Sequence, residues 1–123
     1  MIRVKRVYDA SDKSDGLRIL VDRMWPRGLS KERGAVDLWL KDLAPSEALR
    51  KRFGHTPERW MLFRKHYHRE LDKYAGPLSQ IGAHGREGEI TLLYAARDTV
   101  HNNAVALRDY LVAVTPGGAG LTL

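Results

Sequence analysis

The chain has 123 residues, 43% of them apolar and 29% charged, with no cysteine and a formal net charge of +6. These values describe one folded domain with a single core and exclude disulfides, thiolate nucleophiles and cysteine metal sites. No apolar run approaches the ~20 residues that span a bilayer, and the basic N-terminus lacks the apolar segment of a secretory signal, so a cytoplasmic location without membrane contact is expected.

Residues 2–8, IRVKRVY, set Ile2, Val4 and Val7 against Arg3 and Lys5, the alternation of a half-buried strand. DASDKSDG (9–16) has the composition of a loop. LRILVD (17–22) is mostly apolar with β-branched residues and reads as a more buried strand. In KERGAVDLWLKDLAPS (31–46), the spacing of Val36, Leu38, Trp39 and Leu43 predicts a short helix stopped near Pro45. Ser46 then caps a helix over EALRKRF that ends at Gly54. The longest helix is expected from TPERW onward, with Thr56 as N-cap, Pro57 in the first turn and Glu58 adding negative charge there. Its apolar face is Trp60, Phe63, Tyr67, Leu71 and Tyr74. A shorter helix follows over 77–84.

Residues 90–96 are almost continuously apolar, as a strand covered on both faces would be. Asp98 or Thr99 can cap a last helix over 100–114, with Val100, Ala104, Leu107, Leu111 and Val114 facing inward. TPGGAGLTL (115–123) reads as a flexible tail. There is no internal repeat. The order predicts a single α/β domain over residues 1–114, with a short mixed or mostly parallel sheet packed against helices. The long strand–helix–strand connection favours a parallel pair, while the direction of the first strand stays open.

A functional expectation follows from parallel strands. Ligands of open α/β sheets bind beyond the carboxyl ends of the strands. If 17–22 and 90–96 are parallel neighbours, two polar bursts share that edge: Asp22, Arg23, Trp25, Arg27 and Gly28 after one strand, Arg97, Asp98, His101, Asn102 and Asn103 after the other. Arginine grips phosphate or carboxylate through two parallel hydrogen bonds. Arg23, Arg27 and Arg97 are therefore expected to bind charge, Asn102 and Asn103 to orient the ligand, and Trp25 to stack on it or close the core rim. His101, placed in the first turn of a helix, is the general acid–base candidate, oriented by Asp22 or Asp98. The competing structural reading pairs Asp22 with Arg97 and leaves the burst to architecture.

Charge sets the partner classes. Residues 1–73 carry 18 Lys/Arg against 11 Asp/Glu, and residues 74–123 carry 3 against 4. Basic surface attracts phosphates, but interleaved acids break any stripe. A small anionic ligand, bound alone or as an enzyme's substrate, is thus the leading expectation, and a nucleic-acid-binding or nucleic-acid-processing module is the alternative. His66 and His68 are two apart on a helix and point away from each other, so no metal site is expected. No serine sits in a Gly-x-Ser-x-Gly elbow, and no dinucleotide or phosphate-loop glycine motif is present; no particular cofactor is indicated. Trp39 and Trp60 fall on helical apolar stripes and are expected in the core.

Three blocks, LVDRMWPRG, WLKDLAPSEALRKRFGH with PERW, and TLLYAARDTVHNNAVAL, resemble the YeaO-like branch of the domain-of-unknown-function-488 family. The resemblance runs from about residue 3 to 111 and implies a small cytoplasmic α/β protein, without implying a reaction. Other branches of that family carry an Asp-Val-Arg run after one strand and a Cys-His-Arg run opening the last helix. Asp22 and Arg23 resemble part of the first, and His101, Asn102 and Asn103 stand where the second would be, without its cysteine or arginine. Cysteine-dependent chemistry is therefore not carried over.

Overall fold

The most apolar segment of the chain lies in the middle of the sheet, where both its faces can be covered. A computed structural model of the protein describes residues 1–53 and 56–114. Its four strands are β1 (Ile2–Arg6), β2 (Leu17–Leu20), β3 (Leu38–Trp39) and β4 (Ile90–Tyr94), in the order β1-β4-β2-β3. All three pairings are parallel, including the one that β1 makes with β4. Every residue of β4 is buried.

Alternation along the strands builds two cores. Ile2, Ile19, Val21, Ile90, Leu92 and Tyr94 face the helical layer. That layer consists of α2 (Glu47–Phe53), α3 (Trp60–Leu71), α4 (Ala75–Glu87) and α5 (Asn103–Val114). Phe63, Tyr67 and Leu71 of α3, and Ala104, Leu107 and Leu111 of α5, are the buried stripes that meet the sheet. On the other face, Val7, Leu20 and Leu93 pack with Leu29, Trp25 and Val36 under the loop that carries the one-turn α1 (Lys31–Gly34). No helix among the described residues is long and apolar enough to cross a membrane.

Several expectations need correction. Residues 31–43 do not form one helix. Ala35, at φ 45°, ends α1 in a left-handed conformation, and the chain then becomes extended so that Leu38 and Trp39 pair with Ile19 and Leu20. Apolar residues two apart fit a strand as well as a helix, and the unpaired flank of β2 decides between them. Trp39 is accordingly not core but 39% exposed. β2 itself stops at Leu20, two residues early. α4 is longer than expected, at 13 residues; its glycines weaken local helix propensity, but Gly82 and Gly85 are buried by packing. Thr56 makes no side-chain cap, and Tyr74 lies at the surface. Gly54, residues 115–123 and the side chain of Val114 lie outside what the structure describes.

The start of α5 also moves. Asp98 accepts hydrogen bonds from the N–H groups of Val100 and His101, both at 2.9 Å. Asn102 then caps the helix, its Oδ1 accepting from Val105 N–H at 3.0 Å. Two successive side-chain caps hold 98–102 in a turn, so the helix begins at Asn103 and Val100 stands 61% exposed.

Candidate functional site

β2 and β4 end together. Leu20 lies opposite Leu93, and Val21 N–H donates to Leu93 O at 3.2 Å. Because the strands are parallel, the residues that follow both must leave the sheet on the same side. Asp22 joins them. Its Oδ2 accepts from Ala95 N–H at 2.9 Å and its Oδ1 from Asn103 Nδ2 at 3.0 Å, while the same Nδ2 donates to Val21 O at 2.9 Å. Burial pushes the Asp22 carboxyl above the usual carboxylate range, opposed by the bonds from Asn103 and Ala95 and by the charge of Arg50.

Over this junction lies a cavity of about 520 Å³. Asp22 and Asn103 line it from the sheet edge, and both are half-buried. Trp25 and Pro26 line it, as do the Trp60–Phe63 pair and the exposed Arg23, Arg27 and Arg50. Among the described residues Arg23 makes only a long 3.5 Å bond, to Pro45 O. Trp25 is held by its indole N–H on Leu29 O at 2.7 Å and by the edge of Trp39 at 5.6 Å. Trp60 stacks on Phe63, with ring centres 5.7 Å apart and planes 22° apart, and meets His101 edge-on at 5.3 Å.

His101 precedes α5 instead of lying in its first turn. Its Nδ1 lies 3.0 Å from Asp98 Oδ2. An ionised carboxylate can only accept, so Nδ1 carries a hydrogen and Nε2 is the nitrogen left over. The N–H groups of His101 and Val100 and the His101 ring hold Asp98 down at about 2. Asp98, not Asp22, is therefore the partner that orients His101.

Of the residues singled out from the sequence, Asp22, Arg23, Trp25, Arg27, His101, Asn102 and Asn103 line this cavity, and Gly28, Arg97 and Asp98 do not. Asn102 is buried and uses both ends of its amide, on Val105 N–H and Asp98 O. Gly28 supplies a turn at φ 73°. Arg97 is exposed and makes no ion pair with Asp22. Sequence reasoning missed Tyr8, Arg50, Trp60 and Phe63 as lining residues. Trp60 and Phe63 carried only a core signal, and within EALRKRF nothing local sets Arg50 apart from its basic neighbours Lys51 and Arg52. Among the described residues, no three His, Asp or Glu side chains gather closely enough to hold a metal ion.

Comparison with known proteins agrees over nearly the whole length. A family profile described as the inactive DUF488-N3 subclade matches residues 1–116. The chain is similar to YeaO of Escherichia coli, 42% identical over 110 residues that cover 89% of this chain and 96% of YeaO. It is 38% identical over 110 residues to Rv3073c of Mycobacterium tuberculosis and to Mb3100c of Mycobacterium bovis, covering 89% of this chain and 92% of each. No solved structure matches it.

Proposed function

This chain belongs to the inactive DUF488-N3 subclade, and from that premise we propose that it binds a small anionic ligand, a phosphate, nucleotide or carboxylate, in the cavity at the carboxyl edge of its sheet. One observation carries this reading. Arg23, Arg27 and Arg50 line one cavity in which Asp22 is the only carboxylate among the described residues, and none of the three forms an ion pair with those residues. Asp22, on which the charge of Arg50 acts, offsets at most one of these three cations, and a multi-oxygen anion supplies the missing counter-charge while accepting paired hydrogen bonds.

Position and size support the same reading. The cavity sits where open α/β sheets bind ligands, and about 520 Å³ falls in the range of small-molecule sites, roughly 300–1,000 Å³. The subclade's description as inactive accords with a site that holds its ligand without turnover. Any proton exchanged with the ligand passes through His101, with Asp98 orienting the ring.

The test is a thermal-shift series on wild type, the Arg23→Ala/Arg27→Ala double variant and Arg97→Ala, each with pyrophosphate, AMP, citrate and a short oligonucleotide. Ligand at about 100 times its Kd adds about 2.7 kcal/mol of stability, a shift of several degrees. At least one small anion is expected to stabilise wild type and Arg97→Ala, with the shift lost in the double variant. No response to any small anion, or an equal response in the double variant, overturns the reading. Stabilisation by the oligonucleotide alone, erased by salt, assigns the basic surface to nucleic acid instead.

A further inference from the structure

The proposed anion site presents more than cations, and its other groups constrain what the anion is attached to. Asn103 Nδ2 reaches two acceptors, Val21 O and Asp22 Oδ1, which fixes the amide's orientation because only the nitrogen can donate to both. Its Oδ1 accepts no hydrogen bond among the described residues. Beside it, each oxygen of Asp22 accepts one bond from the protein and has lone-pair capacity left. The cavity therefore presents a pair of acceptors, Asn103 Oδ1 and the Asp22 carboxylate, as well as its arginine donors.

An inorganic ion such as pyrophosphate would offer those acceptors at most a phosphate O–H, and no N–H or sugar hydroxyl. It would also leave the Trp60–Phe63 stack and the Trp25 ring without a partner. Both are already held in place, Trp60 by Phe63 and His101, Trp25 by Leu29 O and Trp39, so little ordering remains to be done when a flat group enters. Resting on the anion-site reading, we infer that the ligand is a nucleoside phosphate: its phosphate lies among Arg23, Arg27 and Arg50, its base lies against these aromatic rings, and its nucleoside N–H or O–H groups donate to Asn103 Oδ1 and Asp22. An acid at the end of a parallel strand that accepts from a nucleoside hydroxyl is a known solution on α/β sheets. The donor also offsets the burial that raises the Asp22 carboxyl.

Affinities for AMP, ribose 5-phosphate and pyrophosphate, measured by calorimetry on the full chain, test this. Base–aromatic stacking is worth about 1–3 kcal/mol, so AMP is expected to bind roughly 5- to 150-fold more tightly than ribose 5-phosphate. Trp60→Ala is expected to erase most of that preference. In ¹⁵N spectra, AMP should shift the Trp60 indole N–H and the Asn103 amide saturably, which places the ligand even if Trp60→Ala fails to fold. Equal binding of all three compounds overturns the nucleoside inference and leaves the anion site standing. Binding of AMP without movement of the Trp60 and Asn103 signals also overturns it. No binding of any of the three overturns the nucleoside inference and, where citrate is silent as well, the anion site.

Discussion

Arg18 and Arg27 are the same residue type nine positions apart, and the protein uses them in opposite ways. Arg18 is buried to 4% exposure and every donor group is engaged: Nε on Ala35 O at 3.1 Å, Nη2 on Gly34 O at 2.9 Å and Nη1 on the Asp15 carboxylate. Asp15 in turn holds Lys5. Burial alone would raise the Asp15 carboxyl, but the Asp12 N–H, Lys5 and Arg18 outweigh it and keep it below its ordinary value. This is an ionic network closed on itself within the second core face. At the carboxyl edge, Arg27 is exposed and its guanidinium has no partner among the described residues. A saturated cation is architecture; an unsatisfied one beside a cavity is available to a ligand.

Substitution should separate the two most sharply in stability. Arg18→Ala leaves a buried carboxylate with one of its two cationic partners gone, and removing one member of a buried pair costs about 3–5 kcal/mol. Thermal denaturation is expected to show a Tm lower by roughly 10–20 °C. Arg27→Ala should stay within about 0.5 kcal/mol of wild type. Similar losses in the two variants would erase the distinction.

The glycines repeat the contrast on a smaller scale. Gly16 has φ 63°, and a Cβ there would lie 2.1 Å from the Glu89 carbonyl oxygen. Gly28 has φ 73° with nothing within 4 Å. Gly16→Ala combines backbone strain with a clash against a main-chain atom and should cost about 2–4 kcal/mol. Gly28→Ala carries the strain alone, about 1 kcal/mol. Denaturant midpoints at matched m-values check the order.

The smallest effect is a pH dependence within the carboxyl edge. Asp98 is held at about 2, below its unfolded value, so its stabilisation is present above pH ~3.8 and lost as pH falls through 2. Asp22 is raised, so the stability it contributes is present below pH ~3.8 and lost as pH rises through its folded value. Carboxyl ¹³C titrations should therefore bracket the ordinary aspartate midpoint from opposite sides. Coincident midpoints would show that the two groups share one environment.

Part of this site could be read before folding. LRILV ending in Asp22, and TLLYAA leading to Asp98, place polar residues at two strand ends, and once those strands are parallel the residues must share an edge. Other parts could not. Leu38 and Trp39 have a spacing that suits helix or strand, and only the open flank of β2 makes them β3. Arg50 and Trp60 enter the cavity because α2 packs on α3 and α3 on α5, which nothing in EALRKRF or PERW announces. His101 was expected within a helix, but Asp98 and Asn102 cap in succession and hold it in the preceding turn.

By itself the sequence determined the apolar stripes of α3 and α5, the buried central strand, and the polar character of the residues after β2 and β4. Those are local properties, fixed by periodicity and by where apolar runs stop. Tertiary structure alone decided which arginines are spent on buried carboxylates and which remain free, which aspartate orients His101, and which distant side chains enclose the cavity. Hydrogen-bond and charge satisfaction depends on neighbours in space, and for Arg18 and Arg27 those neighbours come from different loops of the chain.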